Sequence, residues 1–156
     1  MKTKFLTKEQ ALIKIKHFCA YQERCHKEVK DKLNSIGIQR TDSDWIIATL
    51  IEENYLNEER FAIQYAGGKF RIKQWGKNKI RYSLKGKLLS EYCINKALKS
   101  IDDKLYNETL HQLAEKKYAT FKEEQVLLRK KKTIDYLLQK GYEAELVFQV
   151  VNYYTN

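Results

Sequence analysis

The sequence contains no proline. Nothing in it therefore removes a backbone donor or kinks a helix. Long apolar runs are also missing. Charge recurs every few residues, so no membrane span forms, and "MKTKFLTKEQALIKIKHFCAY" lacks the apolar centre of a signal sequence. The expectation is a cytoplasmic protein with no membrane partner. Cysteine is sparse: Cys19, Cys25 and Cys93 cannot all pair, which suits a reducing compartment. Cys19, Cys25 and His26 are followed by no second ligand pair at a zinc spacing, and His17 and His111 stand alone, so no metal or cofactor is expected. Cys25 and His26 are read instead as the start of a helix, facing its apolar side. Catalytic signatures are missing too. Gly67-Gly68-Lys69 lacks the spacing and the Ser/Thr of a phosphate loop, and there is no nucleophile elbow or histidine pair at helical spacing. The acidic pairs Glu52-Glu53, Glu58-Glu59 and Glu123-Glu124 fall at helix ends and first turns, where capping and solvation explain them. The chain is not expected to be an enzyme.

What is present is a chain of 156 residues, 43% hydrophobic and 32% charged, with both signs mixed over most of its length. That composition fits a folded protein with a real core. The net charge of +10 and pI near 9.4 draw it to polyanions: nucleic acid, an acidic protein face or an anionic membrane.

Apolar residues recur at spacings of three and four, which predicts an all-α fold. Thr7 to Gln10 form a capping box for a first helix with Ala11, Leu12, Ile15, Phe18 and Cys19 on its stripe. A second helix carries Val29, Leu33 and Ile36 and stops at Gly37. "TDSD" (41–44) is expected to cap a third with Ile46, Ile47, Leu50 and Ile51. Asn57 caps a fourth, on which Phe61, Tyr65 and Ile72 fall within about 40° of one another. Five more follow. Ile80 and Leu84 mark the fifth, Ser90 caps the sixth, and Asp102 or Asp103 opens the seventh. The eighth holds Val126, Ile134, Leu137 and Leu138, and the ninth Leu146, Val147, Val150 and Val151.

Gly37, Leu88 and Gly141 align as anchors of a repeat. Each has a leucine four residues before it (Leu33, Leu84, Leu137) and an apolar pair after it (Ile47/Ile51, Ile94/Leu98, Val147/Val151). The first pair lies four residues further from its anchor than the others. The reading is a single helical-repeat unit spanning 1–156: three tandem three-helix repeats, near 7–54, 55–101 and 102–154, stacked into an elongated, curved array.

The most informative stretch runs from residue 69 to 87. It holds six lysines (Lys69, Lys73, Lys77, Lys79, Lys85, Lys87), two arginines (Arg71, Arg81) and no acid. An ordinary solvated helix mixes signs for i,i+4 pairing. Eight like charges repel one another and are better tolerated against an anionic partner. Lys79 and Tyr82 should point outward from a helix whose core side is Ile80 and Leu84. Phe70 falls opposite the Phe61/Tyr65/Ile72 stripe, free to pack on a neighbouring repeat or to be exposed. Trp75 and Tyr82 are read as packing residues more than as base-stacking platforms. A second cluster, Arg129, Lys130, Lys131 and Lys132, covers the whole circumference of its helix, so part of it must edge the core.

"NYLNEERFAIQYAGGKFRIKQWGKNKI" resembles the central signature of the RecX family of bacterial recombination regulators, with Tyr55, Leu56, Asn57, Glu58, Arg60, Phe61, Ala62, Arg71, Gly76 and Ile80 at its positions. "ALIKIKHFCAYQERCHKEVKDKLNSIG" and "LLQKGYEAELVFQVV" resemble its opening repeat and closing helix pair. The likeness covers residues 8 to 153. Two positions depart: Leu88 stands in Lys87-Leu88-Leu89 where the family writes glycine, and Cys25 where it often has serine. The resemblance implies tandem three-helix repeats without catalytic residues. It implies binding to the RecA recombinase in the groove of its filament on single-stranded DNA, and restraint of ATP hydrolysis and strand exchange. The twelve cations named above are the expected contact surface, chosen on charge. Weak direct binding to single- or double-stranded DNA and a monomeric state complete the expectation. The alternatives are a DNA-binding helical module acting without a recombinase and a scaffold for an acidic protein.

Overall fold

The structure is a computed structural model describing residues 5–155. The basic opening Met1–Lys4 lies outside the described residues. Among those described there are nine helices and no strand: α1 (Lys8–Tyr21), α2 (His26–Ser35), α3 (Arg40–Glu52), α4 (Glu58–Lys73), α5 (Lys77–Gly86), α6 (Glu91–Lys99), α7 (Asp103–Thr120), α8 (Val126–Gln139) and α9 (Ala144–Thr155). Closely packed helix pairs fall within consecutive triads, α1–α3, α4–α6 and α7–α9.

Local chemistry fixes the starts. Thr7 Oγ1 accepts from the Gln10 amide and Gln10 Oε1 from the Thr7 amide, at 3.1 and 3.0 Å. Asn57, Ser90 and Asp102 each accept from the amide three residues on, at the heads of α4, α6 and α7. The third helix begins earlier than its Asp/Ser cluster predicts. Gln39 is the N-cap, and residues 41–44 lie inside α3 with Ser43 buried.

The repeat anchors have a shared geometry. Gly37, Leu88 and Gly141 all adopt positive φ, at +79°, +63° and +101°. The amide after each donates to the carbonyl of the leucine: Ile38 to Leu33, Leu89 to Leu84, Tyr142 to Leu137, at 3.1 to 3.3 Å. The anchor's own amide donates to Asn34, Lys85 and Leu138 respectively. This is the six-to-one, five-to-two closure that ends a helix in a left-handed residue. Ile38, Leu89 and Tyr142, next in sequence, are buried each time. The repeated leucine is thus both a core residue and a carbonyl acceptor.

Two cores result. Ala11, Ile15, Val29, Leu33, Ile46 and Leu50 fill the first triad. A second core runs through α4–α9 and reaches Cys25 at the head of α2. Cys25 caps α2 and is buried as expected, whereas His26 is only half-buried and meets Glu58 at 3.2 Å. Burial pushes the Cys19 and Cys25 thiols up to about 11.

Four predicted core residues are exposed, Ile72 most of all. Ile72 is 79% exposed, while Phe70, about 180° round the helix from Phe61, is buried. The cause is a change of neighbour along α4. Its N-terminal half buries Phe61, Ala62 and Ala66, and its C-terminal end packs Phe70 against Tyr106 of the third triad, ring centroids 5.7 Å apart. Ile51, Val126 and Leu138 are likewise exposed; Tyr82, at 81% exposure, points outward from the Ile80/Leu84 face as expected and does not serve as a packing residue.

Candidate nucleoprotein interface

The basic stretch spans the end of α4, the turn 74–76 and all of α5. Gln74 ends α4 in the left-handed region, at φ +55°. The chain then runs directly against the α8–α9 turn. The Gly76 amide donates to Lys140 O and the Asn78 amide to Gly141 O, both at 2.9 Å. The Tyr142 hydroxyl donates to Gln74 O at 3.0 Å. A Cβ on Gly76 would collide with the Gly141 backbone, and one on Gly141 with Lys79. This glycine-to-glycine crossing joins the second triad to the third and fixes where the basic side chains emerge.

The cations divide into two sets. Some are paired with acids that lie beyond the stretch, on α6 and α7. Lys77 meets Asp103 at 3.6 Å, and Arg81 and Lys85 share Glu91 at 3.2 and 3.3 Å. The absence of acids within residues 69–87 therefore does not leave all eight charges unpaired. In the second cluster, Arg129 lies over the Tyr118 ring and donates to Tyr118 O, and Lys132 pairs with Glu124 at 2.7 Å. Lys130 and Lys131 form no ion pair among the described residues.

The other set, Lys69, Arg71, Lys73, Lys79 and Lys87, also forms no ion pair among the described residues. Aromatic rings hold three of these side chains instead. Lys69 and Lys79 sit over the half-buried Trp75, at 4.9 and 4.8 Å from the centroid; Lys69 and Lys87 sit over Tyr65. Arg71 is exposed and folds its guanidinium over Gly67, whose missing Cβ leaves it room. Gln64, Tyr65, Gly68, Lys69, Ile72 and Lys73 line a shallow, mostly apolar depression on this face. The exposed Ile72 thus belongs to the surface of the basic face.

Sequence reasoning missed one cation. Lys140 donates from Nζ to Lys73 O at 2.9 Å. Burial, followed by the neighbouring charges of Lys79 and Lys73, lowers its pKa. In the sequence it is a lone lysine before Gly141; only the crossing brings it to the others.

Most of the signature positions are structural. Leu56, Phe61, Ala62 and Ile80 are buried, Asn57 caps α4, and Gly76 makes the crossing. Arg60 ties the first two triads, donating from Nε to Glu23 at 2.6 Å and from its terminal nitrogens to Asn54. Arg71 differs in having its charge exposed and unpaired. Among the described residues, no cluster of three or more His, Cys, Asp or Glu could hold a metal, and no helix is long and apolar enough to cross a membrane.

Comparison with known proteins agrees with this architecture. A model of the second three-helix domain of RecX matches residues 57–98, and one of the third matches 105–151. Regulatory protein RecX of Clostridium tetani (strain Massachusetts / E88) is 32% identical over 155 residues, covering 96% of this chain and 71% of that protein. Regulatory protein RecX of Clostridium perfringens (strain 13 / Type A) is 36% identical over 135 residues; the match takes in 85% of this chain but spans only 63% of that protein's length. The crystal structure of RecX from Lactobacillus salivarius superposes with a TM-score of 0.86 at 25% identity, covering 94% of this chain and 95% of that one. With its triads, its signature residues and these relatives in agreement, the chain belongs to the RecX family of regulatory proteins.

Proposed function

We propose that this protein regulates homologous recombination by binding the RecA recombinase filament on single-stranded DNA, restraining ATP hydrolysis and strand exchange. Its role is that of a non-catalytic cytoplasmic ligand of the filament, acting as a monomer. The observation that carries the reading is the one-signed face of α4 and α5. Among the described residues Lys69, Arg71, Lys73, Lys79 and Lys87 have no carboxylate partner, whereas Lys77, Arg81 and Lys85 are paired. A nucleoprotein filament offers phosphates and acidic protein along a groove, and a tandem array of triads suits such an elongated site. Charge complementarity speeds docking and makes it salt-sensitive.

The test is DNA-dependent ATP hydrolysis by the cognate recombinase with this protein titrated in. Turnover should fall at amounts well below those that coat the free DNA. Unchanged turnover would refute the reading, and tight, salt-steep binding to bare DNA in its place would identify a DNA-binding module.

A further inference from the structure

We propose a phosphate seat at the crossing of the second and third triads, formed by Lys73, Lys79 and Lys140 beside Trp75, that takes the phosphodiester backbone of a single nucleic-acid strand. It deepens the reading of the basic face and rests on it only for the choice of nucleic acid as the source of phosphate.

Three observations converge. The first is placement. Lys140 Nζ reaches Lys73 O, and the Lys79 backbone packs on Gly141, so lysines from α4, α5 and the α8–α9 turn meet at one seam. The second is rigidity. Two backbone hydrogen bonds of 2.9 Å clamp the seam, and Trp75 holds the Lys79 and Lys69 ammonium groups within 5 Å of its ring centroid. Side chains held in advance lose less freedom on binding. The third is an unbalanced charge. Lys140 feels Lys73 and Lys79, and among the described residues none of the three forms an ion pair with a carboxylate. A bound anion would relieve the repulsion among the three.

The anion favoured is a strand of phosphodiesters. It brings a charge with two free oxygens at each step, so one strand can serve Lys73, Lys79 and Lys140 together. With lysines already over its ring, Trp75 works as a scaffold for cations and leaves bases unread. Binding at the seat should therefore show little sequence preference.

The experiment uses the whole chain and no recombinase. Trp45 and Trp75 are the two tryptophans, so Trp45→Phe leaves Trp75 as sole reporter at the seat. Oligo-dT should shift Trp75 emission saturably, and oligo-dA should do so with similar affinity. In Lys73→Met/Lys79→Met/Lys140→Met, affinity should fall at least tenfold. The slope of log affinity against log salt should flatten by roughly 2, at about 0.7 per single-strand phosphate contact. A control, Lys14→Met/Lys30→Met/Lys116→Met, removes the same charge from exposed positions elsewhere and should change affinity less than twofold. Circular dichroism and melting confirm that both variants fold. Equal losses in the two triples would overturn the seat, leaving only a diffuse charge effect. Saturation of Trp75 by inorganic phosphate or polyglutamate, without a response to oligo-dT, would also overturn it. A failed seat leaves the recombinase reading standing, and an inert recombinase assay leaves the seat standing.

Discussion

The two seams between triads are built from different materials. The first-to-second seam is largely polar. Arg60 bridges to Glu23 and Asn54, and His26 meets Glu58, with Cys25 the buried apolar contribution. One oxygen of Glu23 is buried there with no hydrogen-bond partner among the described residues. The second-to-third seam is backbone against backbone. It joins Gly76 to Gly141 through paired amide–carbonyl bonds and continues into an aromatic chain: Phe70, Tyr106 and Tyr142, with centroids 5.7 and 5.2 Å apart. A seam of ion pairs tolerates small displacements and weakens with salt. A seam of crossed glycines has one register. Lys73, Lys79 and Lys140 gather at the rigid seam, with Lys69 sharing the Trp75 ring, whereas Lys87 lies beside Gln22, Glu23 and Glu28 at the polar one.

The largest expected effect comes from forcing the rigid seam apart. Gly76→Val places a side chain inside the Gly141 backbone and should cost about 3 kcal/mol or more, read from urea unfolding. Tyr106→Phe removes the hydroxyl that donates to Glu143 and accepts from the Lys77 amide at 2.9 Å. Burial and the Glu143 carboxylate both hold that phenol un-ionised. Its loss orphans two polar groups and should cost about 2 kcal/mol. Breaking the polar seam should do less: Arg60→Met should cost about 1 to 2 kcal/mol, because it strands the half-buried Glu23 carboxylate. That loss should shrink in high salt, whereas the Gly76→Val loss should not. The smallest effect has the opposite sign. Leu88→Gly relieves an exposed leucine held at φ +63° and should stabilise by about 0.5 to 1 kcal/mol, the left-handed penalty outweighing glycine's extra unfolded-state entropy. It touches neither seam, so a loss on Leu88→Gly would show that the anchor geometry is misassigned.

The features legible in the sequence were those decided locally. Thr7, Asn57, Ser90 and Asp102 cap through their own side chains within three residues, so the helix heads could be read directly. Gly37 and Gly141 mark left-handed closures, and the shared leucines carried that pattern to Leu88 despite its side chain. Long-range features were not legible. Ile72 sits on the Phe61 side of a helical wheel, but α4 changes neighbours before reaching it, and a wheel assumes one neighbour throughout. Lys77, Arg81 and Lys85 look unpaired until α6 and α7 bring Glu91 and Asp103 alongside. Lys140 has no basic neighbour in sequence apart from the crossing that places Lys73 and Lys79 around it.

The central claim is that the α4–α5 face at the rigid seam, and not the first triad, meets the recombinase filament. The most direct test compares two charge reversals in the DNA-dependent ATP hydrolysis assay. One is Lys69→Glu/Lys73→Glu/Lys79→Glu; the other is Lys14→Glu/Lys30→Glu in the first triad. The account predicts that the seam variant needs at least tenfold more protein for half-inhibition, while the first-triad variant stays within twofold of the unaltered chain. Full inhibition by the seam variant, with loss in the first-triad variant, would contradict it.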